Sequence, residues 1–474
     1  MWILVALVLA ATAGTAWGQA LERFERRLDE INRETRLSIR PEVPVQQRTY
    51  IDFGANLTFN YLYLTDQTTA DHNIYQGYLD VWGRVSIDQV HDFYALVSAR
   101  YRAFDDGESF NGDDEDWDGP EIRRAIYRFD SQEYMRAYEG KLVDWRIIFQ
   151  GGRQLARWGN GVVLSELIDG IQVTGSAGRF ELSIVAGVTP DDLVVDFDPS
   201  RPGFNDETNR GFFGGMLSYR MTPRHRLFVY GLVQRDFNSD EVLIFGPTTT
   251  RFSYDSHYIG VGAHGALGDR FQYGVEAVYE GGETLSSSFN NVTFVAVPQT
   301  ADPIQAWAAS ARLDYLPGDT NRSRLTGEVL LASGDDDRLR SNTTFAGNQT
   351  GTTDRGFNAF GLLNTGLAFN PAFSNLAVLR VGGSTFPLPD NDVLSRWQIG
   401  ADVLVFGKLD DSAPIDESTF TSSYLGTEID LFTTWRIFSD LTLDIRYGIF
   451  LPGDAIAGRK VPRHFLFTGL TWSF

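Results

Sequence analysis

Residues 50–64 read YIDFGANLTFNYLYL, and this stretch decides the fold class. Apolar and polar side chains alternate along it, the apolar set being Ile51, Phe53, Ala55, Leu57, Phe59, Tyr61 and Tyr63. Since successive side chains of a strand point to opposite faces, the alternation predicts a β-strand with one apolar and one polar face. Soluble strands are rarely this long, whereas a tilted strand needs roughly 9–11 residues to cross a bilayer. The segment therefore predicts a membrane-crossing strand.

The same period of two recurs along the rest of the chain. Together with residues 50–64 it predicts eighteen strands, which lie near 74–88, 92–104, 121–130, 145–154, 168–175, 179–188, 211–221, 225–236, 254–267, 270–281, 304–316, 322–333, 376–386, 394–406, 424–438, 441–451 and 463–474. No stretch after the first twenty residues approaches the roughly 20 apolar residues of a membrane helix. Membrane-crossing strands with only one apolar face explain why no long apolar run is present.

The connections between these strands alternate between short and long. The short ones are turns rich in Gly, Pro, Asp and Asn at 175–178, 222–225, 268–269, 317–323, 387–391 and 439–440. The long ones are 65–73, 105–120, 155–167, 189–210, 237–253, 282–303, 334–375, 407–423 and 452–462. Short periplasmic turns opposite long external loops are typical of outer-membrane barrels. We therefore predict that residues 49–474 form an all-β, antiparallel up-and-down transmembrane barrel in a bacterial outer membrane, with both termini periplasmic.

The first 48 residues differ from the predicted barrel. Residues 1–18 combine an apolar run with small residues at its end, which is the layout of a secretory signal peptide. In residues 19–48, apolar side chains recur at helical spacing on a charged background, at Leu21, Phe24, Leu28 and Ile31. We expect a short N-terminal amphipathic helix there, as a periplasmic extension of the barrel, with a pore plug or a short oligomerisation coil as the alternatives.

The last predicted strand ends on an aromatic residue, Phe474. A terminal Phe on an amphipathic strand resembles the signal that the barrel-assembly machinery recognises, so we expect that machinery as a partner. Outer-membrane lipid and lipopolysaccharide are expected around the barrel.

Composition limits the function further. The net charge is −21, which argues against nucleic acid because that partner needs a basic surface. Only Lys141, Lys408 and Lys460 among the 41 basic residues are lysines, and the others are arginines, whose planar heads bind carboxylates better than Lys does. The chain has no cysteine, so disulfides do not stabilise it.

Alternation also assigns side chains to the lumen. In residues 428–436, Ile429 and Leu431 are predicted to face lipid, which leaves Glu428, Asp430 and Arg436 facing inward. The same reasoning gives the candidate pore-lining residues Arg312, Arg324, Arg380, Arg396, Glu428, Asp430, Arg436, Asp444 and Arg446. So many charges in a dry interior would be prohibitively costly, so we expect a wet lumen, ion-pair networks, or both. The charges would select solutes, stiffen the wall, or do both.

No constellation of catalytic residues stands out, and we predict that the chain is not an enzyme. The six histidines are scattered, and neither a G-x-S-x-G nor an H-E-x-x-H motif is present. The acidic runs at 105–121 and 335–337 lack the spacing of an EF-hand, so we expect solvated loops and no metal ion or cofactor.

Three segments of the chain carry motifs that can be compared with known families. The first is Gly151-Gly152-Arg153-Gln154, with Trp158-Gly159-Asn160-Gly161 and Asp169-Gly170 after it. The second runs from Leu376-Ala377-Val378 to Gly382-Gly383-Ser384 and Pro387. The third joins Gly426-Thr427-Glu428-Ile429-Asp430 to Tyr447-Gly448-Ile449-Phe450-Leu451-Pro452-Gly453, and it is the most specific.

These three segments together resemble the alginate export family of outer-membrane barrels. The resemblance implies an eighteen-stranded monomeric barrel that exports an anionic polysaccharide through an arginine-lined lumen gated by loops. It also implies periplasmic polysaccharide-secretion proteins as candidate partners. It adds Arg153 and Asp169 to the candidate residues and implies that Arg153, Arg436 and Arg446 contact carboxylates of the polymer. Two alternatives stay open on the sequence alone. One is a general diffusion porin for small solutes, and the other is a plugged barrel that serves as a structural or adhesive surface protein.

Overall fold

The computed structural model describes residues 49–105, 115–204, 207–238, 242–245, 248–290, 292–338 and 347–474. The predicted signal peptide and the predicted N-terminal helix lie outside these residues, as does much of the acidic run at 105–121. Within the described part no helix is long and apolar enough to span a membrane.

Eighteen strands form one closed antiparallel sheet. In chain order they are β1 (Thr49–Thr65), β2 (Asp71–Ile87), β3 (His91–Phe104), β4 (Glu115–Asp130), β5 (Trp145–Arg157), β6 (Ser165–Ala177), β7 (Phe180–Val188), β8 (Arg210–Thr222), β9 (His225–Asp236), β12 (Tyr254–Leu267), β13 (Phe271–Leu285), β14 (Ala301–Tyr315), β15 (Arg324–Ala332), β16 (Leu376–Thr385), β17 (Trp397–Gly407), β18 (Tyr424–Arg436), β19 (Leu441–Pro452) and β20 (Arg463–Ser473). Two further strands, β10 (Val242–Phe245) and β11 (Thr248–Arg251), pair with each other outside the barrel.

The barrel closes between its first and last strands. Asn56 on β1 lies opposite Ser473 on β20, and the Phe474 nitrogen donates to the Ala55 carbonyl at 2.9 Å. Every other barrel strand pairs with the strands before and after it in the chain. The one exception is that β9 pairs directly with β12, because the β10–β11 hairpin is not part of the barrel. The structure thus confirms the up-and-down barrel and its eighteen predicted strands, whose ends shift by only a few residues.

The two faces of β1 follow the predicted alternation. Ile51 and Phe53 point outward and are 66% and 80% exposed, whereas Asn56 and Asn60 point inward and are each 6% exposed. An apolar outer face and a polar inner face suit a wall between lipid and an aqueous lumen. We call the end of the barrel that carries Thr49 and Phe474 the turn side, and the opposite end the loop side.

Two elements were not predicted from the sequence. The helix α1 (Ser131–Tyr138) fills the turn between β4 and β5, where the Asp130 side chain caps it by accepting the Gln132 and Glu133 nitrogens. An Asp followed three residues later by Glu is a usual helix start, although a helix of only eight residues, about two turns, gives little periodic signal. The β10–β11 hairpin lies within the predicted long loop 237–253.

The loop-side half of the lumen is filled rather than open. Trp158 and Val162 from the connection after β5, with Phe357 and Phe360 from the connection after β15, are buried in one apolar cluster with wall residues such as Tyr258. Such a cluster inside a barrel requires that external connections fold inward, so the remaining space in the lumen lies toward the turn side.

Candidate functional site

Two connections meet inside the barrel, and we call them the inner loops. The first comprises residues 158–164 and the second residues 333–375, of which 339–346 are not described. Leu164 and Phe360 form a parallel β-bridge, and the Phe360 carbonyl accepts the Ser165 nitrogen at 2.8 Å. The Leu362 nitrogen donates to the Gly161 carbonyl at 3.1 Å. The inner loops therefore support each other across the lumen.

Carboxylates on the barrel wall hold the inner loops by their backbones. Glu276 on β13 accepts the Asn160 nitrogen at 2.5 Å, and Glu280 on the same strand accepts the Asn358 nitrogen at 2.9 Å. Both glutamates are buried, with Glu280 fully inaccessible. The two side chains satisfy backbone N–H groups that would otherwise be buried without a partner, so these wall residues fix the loops where they are.

Glu428 on β18 makes the most extensive of these attachments. Its carboxylate accepts the backbone nitrogens of Leu367, Ala368 and Phe369, the last two at 2.9 and 2.7 Å. Successive backbone N–H groups that converge in this way form a nest for an anion. Glu428 points inward as predicted, but it is fully buried beneath the loop and anchors it, so it does not line the open space.

A cavity of about 1270 Å³ extends from the inner loops toward the turn side. Leu362, Leu363 and Leu367 border it on the loop side. Its charged lining consists of nine arginines, namely Arg157, Arg224, Arg312, Arg322, Arg324, Arg380, Arg396, Arg436 and Arg446, and four carboxylates, namely Asp314, Glu328, Asp402 and Asp430. The cavity is thus strongly positive although the chain as a whole carries a net charge of −21.

Part of this charge is paired along the wall. Arg324 binds Asp314 through two hydrogen bonds of 2.9 and 2.7 Å, and Arg312 reaches the same carboxylate at 3.2 Å. Arg380 pairs with Glu328 on the neighbouring strand. The expected ion-pair network is therefore present, and it joins two of the four cavity carboxylates, Asp314 and Glu328, to three of the nine arginines.

Arg446 and Asp444, both on β19, make a similar pair. The Arg446 Nε lies 2.9 Å from Asp444, which is buried. Arg446 lines the cavity, whereas Asp444 lies behind it and is bonded to the Thr434 hydroxyl at 2.9 Å. Of the sequence-predicted residues, the cavity brings together Arg312, Arg324, Arg380, Arg396, Asp430, Arg436 and Arg446.

Four cavity arginines have no carboxylate partner at ion-pair distance in the described part of the chain. They are Arg157, Arg322, Arg396 and Arg436. Arg157 lies beside the inner loops and donates to the Asn160 carbonyl at 3.0 Å. The other three lie on the turn side. Guanidinium groups left without a carboxylate can bind anionic solute groups in the lumen.

Arg153 and Asp169 do not belong to this cavity. They lie opposite each other on β5 and β6 and form a bidentate ion pair of 2.8 and 2.7 Å. In the strand pairing, Arg153 lies opposite the exposed Ala125, and Asp169 lies opposite Val188. These residues belong to the alternating set of strand positions whose side chains face away from the lumen. This corrects the expectation that Arg153 contacts a solute in the pore.

Three of the nine cavity arginines were not predicted from the alternation along the strands. Arg224 and Arg322 lie in turns, and Arg157 is the last residue of β5. Arg157 lies beyond the predicted end of its strand at residue 154, and Arg322 lies where the predicted turn 317–323 overlaps the predicted strand 322–333, so alternation gave these two side chains no clear face. The excess of Arg over Lys was the one signal that pointed to these residues.

The acidic run at 335–337 serves the inner loop itself. One Asp335 oxygen accepts the Asp337 nitrogen at 2.9 Å, and the other accepts the Arg355 nitrogen at 2.8 Å. Asp335 is buried, so its carboxylate joins two parts of the second inner loop rather than lying in solvent as expected.

The chain resembles known proteins in sequence pattern and in fold. The family model described as alginate export matches residues 150–465, about two thirds of the chain. Crystal structures of two Pseudomonas aeruginosa proteins, OccK8 (OprE) and OpdK, superpose with TM-scores of 0.52 and 0.50 at 11% and 10% identity. The alignments cover 90% of this chain and 98% of OccK8, and 89% of this chain and 99% of OpdK.

A third structure comes from another organism. Acinetobacter baumannii OccAB2 superposes with a TM-score of 0.51 at 10% identity, over 90% of this chain and 98% of its own. No curated protein sequence matches the chain. At such low identity the structural matches show the fold, and the family match covers the strands that surround most of the cavity. The chain therefore belongs to the alginate export family and is a non-enzymatic channel in a bacterial outer membrane.

Proposed function

We propose that this channel exports an anionic polysaccharide, such as an alginate-like polyuronate, from the periplasm. The observation that carries the proposal is the lining of the lumen cavity, where nine arginines outnumber four carboxylates in a chain of net charge −21. A positive cleft with low-dielectric walls concentrates anions. The planar fork of Arg also matches the geometry of a carboxylate.

The distribution of the unpaired arginines suits a polymer better than a single small anion. Arg322, Arg396 and Arg436 lie on the turn side, and Arg157 lies at the inner loops. Conduction requires several binding positions that are each weak enough to release the solute. Arginines spaced along the cavity provide such positions for successive carboxylates of one chain.

The inner loops make this a gated pathway. Loop residues such as Trp158 and Phe357 are buried inside the barrel, so a polymer must displace the loops to leave on the loop side. Loops held by hydrogen bonds to wall carboxylates can be displaced without unfolding the barrel. Gating by the inner loops is therefore part of the proposal.

The experiment is a measurement on the full chain in planar lipid bilayers. Under a KCl gradient, the reversal potential should report preference for chloride over potassium. Oligomers of uronic acid should reduce the current at concentrations at which neutral oligosaccharides of the same length do not. A cation-preferring channel, or equal block by charged and neutral oligomers, would contradict the proposal.

A general diffusion porin is the second candidate. The observation that favours it is the wall network that pairs Arg324 with Asp314 and Arg380 with Glu328, since a lumen with both signs can serve as a size filter. In that case block depends on the size of the oligosaccharide and not on its charge. The same bilayer experiment separates the two candidates.

A further inference from the structure

Three of the unpaired arginines lie together on the turn side of the cavity. Arg322 is in the turn between β14 and β15, Arg396 directly precedes β17, and Arg436 is the last residue of β18. All three line the cavity. We call them the mouth arginines, because this end of the cavity is the one opposite to the inner loops.

Contacts with the backbone and with an aromatic ring position the mouth arginines. The Arg322 guanidinium lies 3.9 Å from the ring centroid of Phe386 and donates to the Ser395 carbonyl at 2.6 Å. That contact ties Arg322 to the residue directly before Arg396. The Arg436 nitrogen in turn donates to the Arg396 carbonyl at 3.4 Å. Since the Arg436–Arg396 contact joins two backbone atoms, it places the three residues on adjoining segments of the wall.

Among the described residues, no carboxylate of the neighbouring turns lies at ion-pair distance from the mouth arginines: Asp390 and Asp392 are exposed, and two others make hydrogen bonds elsewhere. Asp319 accepts the Ser323 nitrogen at 2.7 Å, and Asp440 accepts the Trp472 indole at 3.2 Å. The buried Nε of Arg436 has no hydrogen-bond partner among the described residues. Cations held together without a counter-ion repel one another, and a buried donor without an acceptor is also costly. An anionic ligand relieves both penalties.

We propose that the mouth arginines are the entry site of the channel, where carboxylates of an anionic polysaccharide are captured as it arrives from the periplasm. The inference rests on the proposed function and adds a direction to it. A polymer from the turn side meets Arg322, Arg396 and Arg436 first. It then reaches Arg446 and Arg380 deeper in the cavity and meets the inner loops last.

The test compares the wild-type chain with Arg322→Gln/Arg396→Gln/Arg436→Gln in planar bilayers. A matched control, Arg179→Gln/Arg220→Gln/Arg270→Gln, removes three exposed arginines from the same side that do not line the cavity. An oligomer of uronic acid is added to one chamber at a time. Since the chain has no cysteine, an introduced Ala177→Cys and a membrane-impermeant thiol reagent identify the turn side.

For addition from the turn side, we expect the half-blocking concentration of the mouth variant to rise by about tenfold or more, because several charge-assisted hydrogen bonds are lost. The control should stay within about twofold of the wild type. Block from the loop side should change far less. If the mouth variant is blocked from the turn side at the wild-type concentration, the entry site is refuted.

Failure of the proposed function and failure of the entry site give different results. If oligomers of uronic acid block the wild type from neither side, the proposed function fails. If they block the wild type and the mouth variant equally from the turn side, only the entry site fails. If the triple variant does not insert into the bilayer, Arg396→Gln alone is measured. Its half-blocking concentration should rise by about threefold, because one unpaired charge is lost. Unchanged block in that single variant also refutes the entry site.

Discussion

The carboxylate of Glu428 on β18 lies 2.7 Å from the backbone nitrogen of Phe369 in the second inner loop. It also accepts the Leu367 and Ala368 nitrogens, so one wall side chain satisfies three consecutive N–H groups. Phe369 then stacks on Phe450 with ring centroids 4.2 Å apart. This relationship explains how a long external connection stays inside the barrel.

Glu428→Gln should loosen the second inner loop and raise the conductance. The amide keeps the size of the side chain but loses its charge, and its NH₂ group faces backbone donors. Losing the charge-assisted hydrogen bonds should destabilise the docked loop by about 2–5 kcal/mol. Single-channel recording should therefore show a larger or more frequently open state. Glu181→Gln is the control, since Glu181 pairs with Arg226 in the wall at 2.7 Å. Equal conductance in both variants would contradict the anchor role of Glu428.

Gly361→Ala should separate the two inner loops from each other. A Cβ at this position would lie 1.9 Å from the Val162 carbonyl oxygen and 2.8 Å from that of Gly161, and both oxygens are backbone atoms. Real Cβ atoms do not approach so closely, so the loops must move apart. We expect increased conductance, with the barrel itself intact. Gly327→Ala on β15 is the matched control, because a Cβ there meets open space. A wild-type current in Gly361→Ala would show that the loop contact does not limit the pore.

The sequence was sufficient for the barrel because each wall residue faces either lipid or lumen. Phe53 is 80% exposed and Asn56 is 6% exposed, and this contrast is the one that alternation predicts. The alternation also assigned Arg312, Arg324 and Arg446 correctly to the lumen. The alternation therefore predicted on which face of the wall each strand residue lies.

The path of the inner loops could not be predicted, because residues 333–375 carry no periodic pattern. The inward position of Glu428 was predicted, but the loop backbone that covers it was not. The pairing of Arg153 with Asp169 was missed for a related reason, since the motif that contains Arg153 suggested a solute contact while the register sets the side chain on the outer face. Contacts between residues distant in sequence decided both cases.

Arg380 and Glu328 form a largely buried pair, and its energetics should be asymmetric. Their side chains are only 7% and 11% exposed. Arg380→Met should destabilise the barrel by about 3–5 kcal/mol, because Glu328 is left without a partner. Arg380→Met/Glu328→Leu should recover most of that loss. Urea unfolding of the barrel in lipid vesicles measures both variants.

The control for this cycle is the exposed pair of Arg235 and Asp255, which lie 3.2 Å apart. Arg235→Met should cost less than about 1 kcal/mol, since exposed ion pairs contribute little. If Arg380→Met is no more destabilising than Arg235→Met, the pair is hydrated and the lumen wall is wetter than its burial indicates.

The second inner loop should be held more firmly at mildly acidic pH than at neutral pH. Burial, together with the nearby Asp354, raises the pKa of the Asp335 carboxyl to about 6. Because this folded-state pKa lies above the usual value of about 3.9, the folded loop binds the proton more tightly than the free loop does. Stability is therefore gained as the pH falls through about 6 and is complete below the usual value. Hydrogen exchange of the backbone at 335–338 and 352–358 should slow between pH 7.5 and pH 5, after correction for the intrinsic rate.

Asp335→Asn should abolish this dependence, because its side chain carries no charge at either pH. Asp336→Asn changes the adjacent exposed carboxylate and should leave the dependence as it is in the wild type. An Asp335→Asn chain whose loop protection still rises toward pH 5 would mean that another group controls the loop. The open fraction in single-channel records should follow the same order, lower at pH 5 than at pH 7.5 in the wild type and equal at both pH values in Asp335→Asn. A wild-type channel that opens more often at pH 5 would contradict the sign of the effect.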